Sequence, residues 1–385
     1  MQKIKYLNGI RGLAALFVVA NHFVVAFYPA LYNSDINQIH TASAVELLIA
    51  KSPLNLFYNG NFAVCIFFIL SGYVLSNKYF STMDNEVLVA SAVKRYFRLL
   101  VPVFVTVLLV FFLMKISFFF NNKAGALSFS DWWLGSFWNF EPTLLHTLQN
   151  AVFDVFFKYN AQYNSVLWTI TYEMYGSFLV FGFASLFGEI KKRYLFYIIF
   201  IILFLKTYYL GFILGMILSD LNNMGHFNKT VYKSRTFKTL VLGTGLYLGS
   251  YPTGANVGNS VYKYIETADF GTVIFYHITG AFTTMIVLLN SDMLQKFFSL
   301  KTFECLGKLS FSLYLIHLII IGSFTSYIFI RLNEHMTYSV SVVVSVLLSV
   351  PPIVILSYLM YKYVDKKGIE LANNLYRNFF QKNKY

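Results

Sequence analysis

Three ionisable side chains lie where apolar helices would carry them into a lipid bilayer. They are Arg11 and His22 in "NGIRGLAALFVVANHF" and Glu173 in "NSVLWTITYEMYGSFLVF". Charged groups at that depth are costly, so each marks a functional hypothesis by default. A neutral imidazole is suited to take a proton near pH 7, and a guanidinium to meet a phosphate through two hydrogen bonds. Eleven residues at 100° each turn the helix by about 1100°, roughly 20° past three full turns. Arg11 and His22 therefore share one face, about 16 Å apart along the axis. The plain alternatives are an arginine that anchors the span at its basic end and a histidine that packs between helices.

The elements that must position these groups follow from composition. Of 385 residues, 57% are hydrophobic and 12% charged, against about 25% charged in soluble domains. Ten apolar segments recur, near 9–29, 62–80, 99–119, 166–188, 194–205, 208–219, 239–252, 272–290, 309–330 and 339–361, most of them close to the ~20 residues that cross a bilayer. The expectation is an all-α polytopic membrane protein with about ten transmembrane helices and both termini cytoplasmic. It places 22 Lys and Arg in inner loops and tails, six outside, and Arg11 and Lys115 within spans. The +13 net charge thus reads as a positive-inside signal and not as a nucleic-acid footprint. The short halves of 194–219 are read as two spans or a re-entrant pair turning near Lys206-Thr207. The first run is read as a span and not a cleaved leader, because it carries Arg11 and His22 and no small-x-small site. Cys65 and Cys305 fall near opposite faces, which excludes a disulfide between them.

Glu173 lies about seven residues in from the outer end of its span and His22 about seven residues short of its own. Similar depth would let the carboxylate orient the imidazole. Ser71-Gly72 near the middle of the second span permits close helix approach or lines a substrate path. Lys94, Arg95 and Arg98 cluster at the inner face, suited to the phosphates of an anionic substrate, although orientation alone also explains them. His277, Tyr314 and His317 are further polar groups within apolar segments. The long outer loop, 120–165, holds Trp132, Trp133 and Trp138. After Pro142, Leu144, Leu145, Leu148, Ala151, Val152, Val155, Phe156 and Tyr159 recur at helical spacing, as in an amphipathic helix lying in the outer interface. No phosphate-cradling glycine loop, no paired Cys or His at metal spacing and no serine elbow occurs.

"YLNGIRGLAALFVVANHF" resembles the opening helix of the acyltransferase 3 family of membrane-bound acyltransferases. "FFILSGYVLS", "LWTITYEMYGSFLVF" and "LGKLSFSLYLIHLII" resemble three later motifs of the same family, in the same order. The resemblance runs from about residue 5 to 365, as a transmembrane domain 1–365 followed by a cytoplasmic tail 366–385, without a fused hydrolase-like domain. It implies transfer of an acyl group, usually acetyl, from cytoplasmic acetyl-CoA to a hydroxyl of an extracytoplasmic or lipid-linked glycan in the cell membrane. It implies His22 as catalytic histidine, with Arg11 and Glu173 as motif partners. Arg11, Lys94, Arg95, Arg98, Ser71, Tyr314 and His317 are expected on the donor side. Asn21, Trp168, Tyr172 and His277 are expected on the acceptor side, and no metal is expected. Asn8 stands where the family often has Asp, and Met174 where a second acidic residue is common.

Two rival readings use the same residues. A glycolipid transporter or flippase would move substrate without acyl-CoA, and a polymerase or ligase of lipid-linked sugars would carry catalytic Arg or His in a larger outer loop. The topology itself is testable: a reporter fused after Tyr385 should be active in the cytoplasm, and an external signal there would break the even span count.

Overall fold

The computed structural model describes residues 5–228 and 230–381. Lys3, Lys229, Lys382 and Lys384 of the charge count lie outside them. All ten apolar segments are helical, and no strand occurs among the described residues. They form α1 (Lys5–Phe27), α2 (Gly60–Thr82), α3 (Asn85–Lys115), α4 (Trp168–Phe187), α5 (Tyr194–Leu203), α6 (Tyr209–Asn223), α7 (Arg235–Gly249), α8 (Phe270–Leu289), α9 (Lys301–Ile320) and α10 (Tyr338–Met360). Seven of these, counted with their continuations, are long and apolar enough to cross a membrane: α1 to α4 and α8 to α10. At 1.5 Å per residue, α5 reaches only about 15 Å and α6 and α7 about 22 Å. The 194–219 region does divide in two, with its turn at Phe204–Thr207, where Lys206 Nζ donates to Asp269 Oδ2 at 2.6 Å.

Burial shows which helices form the centre. The apolar window of α2 is 72% buried and that of the α9 continuation 83%, whereas that of α10 is 28%. α2 touches α1, α4, α6 and α8, and α1 lies along α9. Two of these contacts depend on glycine. A Cβ on Gly307 would lie 2.1 Å from the Asn8 carbonyl oxygen, and one on Gly12 would lie 2.6 Å from the Gly307 nitrogen. Between α2 and α6, a Cβ on Gly72 would lie 2.1 Å from the Phe212 carbonyl oxygen. Small residues at such crossings let backbones meet where lipid supplies no hydrophobic drive for association. The peripheral helices turn apolar side chains outward, as at Ile198 and Ile202 of α5. α10 instead hides Ser341, Ser345 and Ser349 on one buried stripe, each hydroxyl satisfied by the carbonyl four residues before it.

Beyond its apolar span, α10 runs through a wide π-turn, Tyr361–Asp365, into a helix Lys366–Tyr376 that packs on α3. The outer-loop helix Leu144–Gln149, continued by Asn150–Asp154 and Val155–Phe157, buries Ala151, Val155 and Phe156 of its apolar stripe and exposes the rest. Leu144, Leu145, Val152 and Phe153 point outward, while Thr147, Asn150 and Asp154 are buried against the bundle. The buried polar groups find partners within the loop itself: Thr147 with Thr143 and Tyr163, Asn150 with the Asn160 carbonyl, Asp154 with Lys158. Of the loop tryptophans, Trp132 is exposed while Trp133 and Trp138 are half-buried. Trp138 stacks on Phe119 with ring centroids 3.9 Å apart and donates from Nε1 to the Tyr163 carbonyl at 2.8 Å. Ser130 Oγ donates to the Val25 carbonyl at 2.7 Å, which ties this loop to the end of α1 and brings Trp133 over His22.

Replacing Gly307 by Val should lower the stability of the purified protein by roughly 1–3 kcal/mol or prevent its folding, because the added atoms cannot be accommodated. Gly182→Ala, where no atom lies within 4 Å of the new Cβ, should leave thermal unfolding in detergent unchanged.

Candidate active site

Two cavities lie end to end along the bundle axis. The first, about 240 Å³, opens among the basic ends of the helices. Its cations are Arg11 of α1, Arg95 and Arg98 of α3 and Lys308 of α9; its carboxylates are Glu173 of α4 and Asp365 of the π-turn after α10. The second, about 190 Å³, lies towards the other face and is lined by His22 and Asn21 of α1, Asn61 of α2, Trp133 of the long loop, Trp168 of α4 and Tyr208 before α6. Tyr32 and Thr253 from the adjoining loops complete its polar wall. Arg11 and His22 share a helix face, as their spacing requires, and open into different cavities.

In the first cavity, charge is arranged in a short chain. Ser71 Oγ donates to Glu173 Oε1 at 2.7 Å, and Arg95 pairs with Glu173 Oε2. The side chains of Arg95 and Glu173 are 9% and 17% exposed, so neither charge is stable there without the other. Arg95 Nε has no protein acceptor. Arg11 feels Glu173 and Asp365 electrostatically and makes no hydrogen bond among the described residues, and Arg98 is exposed at the mouth. Four cations against two carboxylates leave an excess of positive charge with unused donors, which is what a phosphate-bearing ligand requires. Lys308, paired with Glu304 at 2.9 Å, and Asp365 were not anticipated from sequence. Lys308 carried a signal, since it lies six residues before Tyr314 on one helix. Lys94, by contrast, is absent from this wall; its ammonium sits 5.2 Å from the Tyr376 ring centroid on the C-terminal helix.

In the second cavity the partner of His22 is His317, not Glu173. His22 Nδ1 lies 2.7 Å from His317 Nε2, and the rings stack with centroids 4.9 Å apart. His317 Nδ1 lies 2.9 Å from the Leu313 carbonyl oxygen. A carbonyl only accepts, so Nδ1 of His317 must donate to it, and a neutral His317 then offers its Nε2 lone pair. His22 in turn donates from Nδ1, which leaves its own Nε2 as a free base at the cavity wall. The depth match between His22 and Glu173 fails although the observed helix ends, Phe27 and Trp168, lie within two residues of the span ends read from sequence; what differs is how far one helix is shifted along the other. Thr169, one turn before Glu173, already meets Tyr314 at 3.0 Å, and Tyr314 is about one turn closer to the basic end than His317.

The remaining candidates divide. Trp168 lines the second cavity, and so does Asn21, whose Oδ1 accepts from the Gly60 backbone N–H at 3.2 Å. Tyr172 does not; it sits in an aromatic cluster with Phe68, Trp168, Tyr208 and Tyr209. His277 is wholly buried outside both cavities, with Nε2 2.8 Å from the Tyr251 carbonyl oxygen and Nδ1 2.9 Å from Asn61 Nδ2. It acts on the site only through Asn61, whose Oδ1 accepts from the Tyr208 hydroxyl at 2.6 Å.

A family model described as an acyltransferase domain matches residues 4–361. The acyltransferase clz18 of Cochliobolus lunatus is 22% identical over 451 aligned positions, which cover 97% of this chain and 96% of that protein. No solved structure matches.

Glu173→Gln and Arg95→Met should each destabilise the protein by roughly 3–5 kcal/mol, since each leaves one buried charge unpaired. The double variant should lose much less than the sum, as measured by unfolding in a double-mutant cycle.

Proposed function

The chain belongs to the acyltransferase 3 family, and from that premise we propose that it is a membrane O-acyltransferase using cytoplasmic acetyl-CoA. The acceptor in this reading is a hydroxyl of a surface polysaccharide or lipid-linked glycan, and His22 is the general base. One observation carries the reading: a cavity rich in unpaired cationic donors adjoins a cavity that holds an imidazole with a free nitrogen. In this reading the basic ends of the helices face the cytoplasm, both termini lie there, and the ten helices sit in the cell membrane.

Arg11 and Arg98 would hold the phosphates of the nucleotide, aided by Arg95 Nε, and the pantetheine arm would run along α1 towards His22. The roughly 16 Å between Arg11 and His22 is a length such an arm can span. The acceptor hydroxyl would enter from the opposite face, against the aromatic rings of Trp133, Trp168 and Tyr208, whose faces suit the apolar sides of a sugar. His22 Nε2 takes the hydroxyl proton as the oxygen attacks the thioester carbonyl. The tetrahedral intermediate then breaks its C–S bond, and the imidazolium returns the proton to the departing thiolate. The product is an ester and free CoA. His317 keeps His22 in the tautomer that exposes Nε2 and steadies the imidazolium. The amide NH₂ of Asn21 remains available to donate to the developing oxyanion.

Membranes carrying the wild-type chain should pass label from acetyl-CoA into surface glycan. His22→Ala, present at equal level, should reduce this by about 10²–10⁴-fold, the usual contribution of a general base. His317→Phe should fall in the same direction, while His317→Gln, which still accepts from Nδ1, should recover part of the rate. Arg98→Ser should raise KM for acetyl-CoA with little change in kcat. Undiminished incorporation by a stable His22→Ala protein would remove His22 from this role.

A further inference from the structure

Among the described residues, two line both cavities: Val64 of α2 and Tyr314 of α9. Any group that passes from the arginine side to His22 must pass between them. We infer that this pair is the aperture for the acyl group and that Val64 sets the chain length transferred, an inference that rests on acyl-CoA entering through the arginine cavity.

The two sides of the aperture differ in freedom. The Tyr314 hydroxyl donates to the Val166 carbonyl at 2.8 Å and lies 3.0 Å from Thr169 Oγ1. Phe67 packs edge-on against its ring, with centroids 6.3 Å apart. Three contacts from two helices and a loop fix this side, so its width cannot respond to the substrate. Val64 makes no polar contact. It is 5% exposed, on a largely enclosed helix of the bundle, and its branched side chain holds one strongly preferred χ1 rotamer in a helix. Its two methyl groups are therefore a fixed obstacle with no function in holding the fold's polar groups. With the thioester carbonyl at His22 and its sulphur towards Arg11, the pantetheine fills the aperture behind the acyl group, and the acyl carbons lie in the His22 cavity, whose wall Val64 also forms. In an apolar slot of this kind, one methylene too many costs about 10–200-fold in kcat/KM.

The test uses membrane vesicles from the native cell, which hold the natural acceptor, with the chain supplied as wild type, Val64→Ala, Val64→Ile or His22→Ala. Donors are labelled acyl-CoAs of two, three, four and six carbons, and the readout is label in the glycan fraction. Val64→Ala should raise the four-carbon to two-carbon ratio of kcat/KM at least about tenfold over wild type, and Val64→Ile should lower the three-carbon to two-carbon ratio. Retained two-carbon transfer shows in each case that the variant is folded. Unchanged ratios in both variants overturn the aperture while leaving the acyltransfer reading intact. Loss of all transfer in both assigns Val64 to packing and also overturns it. Absence of His22-dependent label from every donor in the wild type overturns the underlying reading, and the aperture with it.

Discussion

The 2.7 Å contact between His22 and His317 depends on α1 and α9 lying side by side from their basic ends outward. Gly12 and Gly307 provide that approach, since a single added methyl group at either would collide with the opposing chain. In lipid, apolar side chains gain little by leaving the solvent for each other, so close packing and polar pairing carry the association. The histidine pair and the glycine crossing are thus one constraint. The crossing sets the distance, and the pair then fixes which nitrogen of His22 is left for chemistry.

The same logic organises the other half of the site. Glu173 and Arg95 are tolerable in the bundle only as partners, with Ser71 occupying the second carboxylate oxygen. That pairing draws α2, α3 and α4 together around the first cavity and leaves Arg11 and Arg98 with donors to spare. The π-turn Tyr361–Asp365 brings a second carboxylate to the wall. Such wide turns are rare in helices and recur at functional sites. Charge is therefore balanced within the protein on one side of the cavity and left unbalanced on the other, where a polyanionic ligand would complete it.

The long loop closes the opposite end. Residues Ser117, Phe129, Trp138 and Tyr159 hold left-handed backbone without being glycine, a strain that persists only where surroundings enforce it. Trp138 against Phe119 and Ser130 against Val25 supply that enforcement. The result is that Trp133 rests on His22, with ring centroids 5.1 Å apart. The histidine is then enclosed on one side by a partner that sets its tautomer and on the other by an aromatic surface.

The sequence by itself determined the helical class, the ten apolar segments and the shared face of Arg11 and His22, because hydropathy and the 3.6-residue period are local properties. It also carried enough motif, in order, to indicate the family. Partner choice was decided only by tertiary structure. Glu173 meets Arg95 and not His22, Lys94 turns away to Tyr376, and His277 satisfies both of its nitrogens outside the cavities. Each outcome depends on the relative depth and rotation of separate helices, which no single segment encodes. The ends of α1 and α4 were read to within two residues, but the shift of one helix along another is written in neither segment, and a shift of one turn is about 5.4 Å, more than the length of a hydrogen bond. The division of the 144–157 helix has the same origin, with Ala151, Val155 and Phe156 buried and Leu144 and Leu145 exposed. Periodicity shows that a helix has two sides, and only the neighbours decide which side is buried.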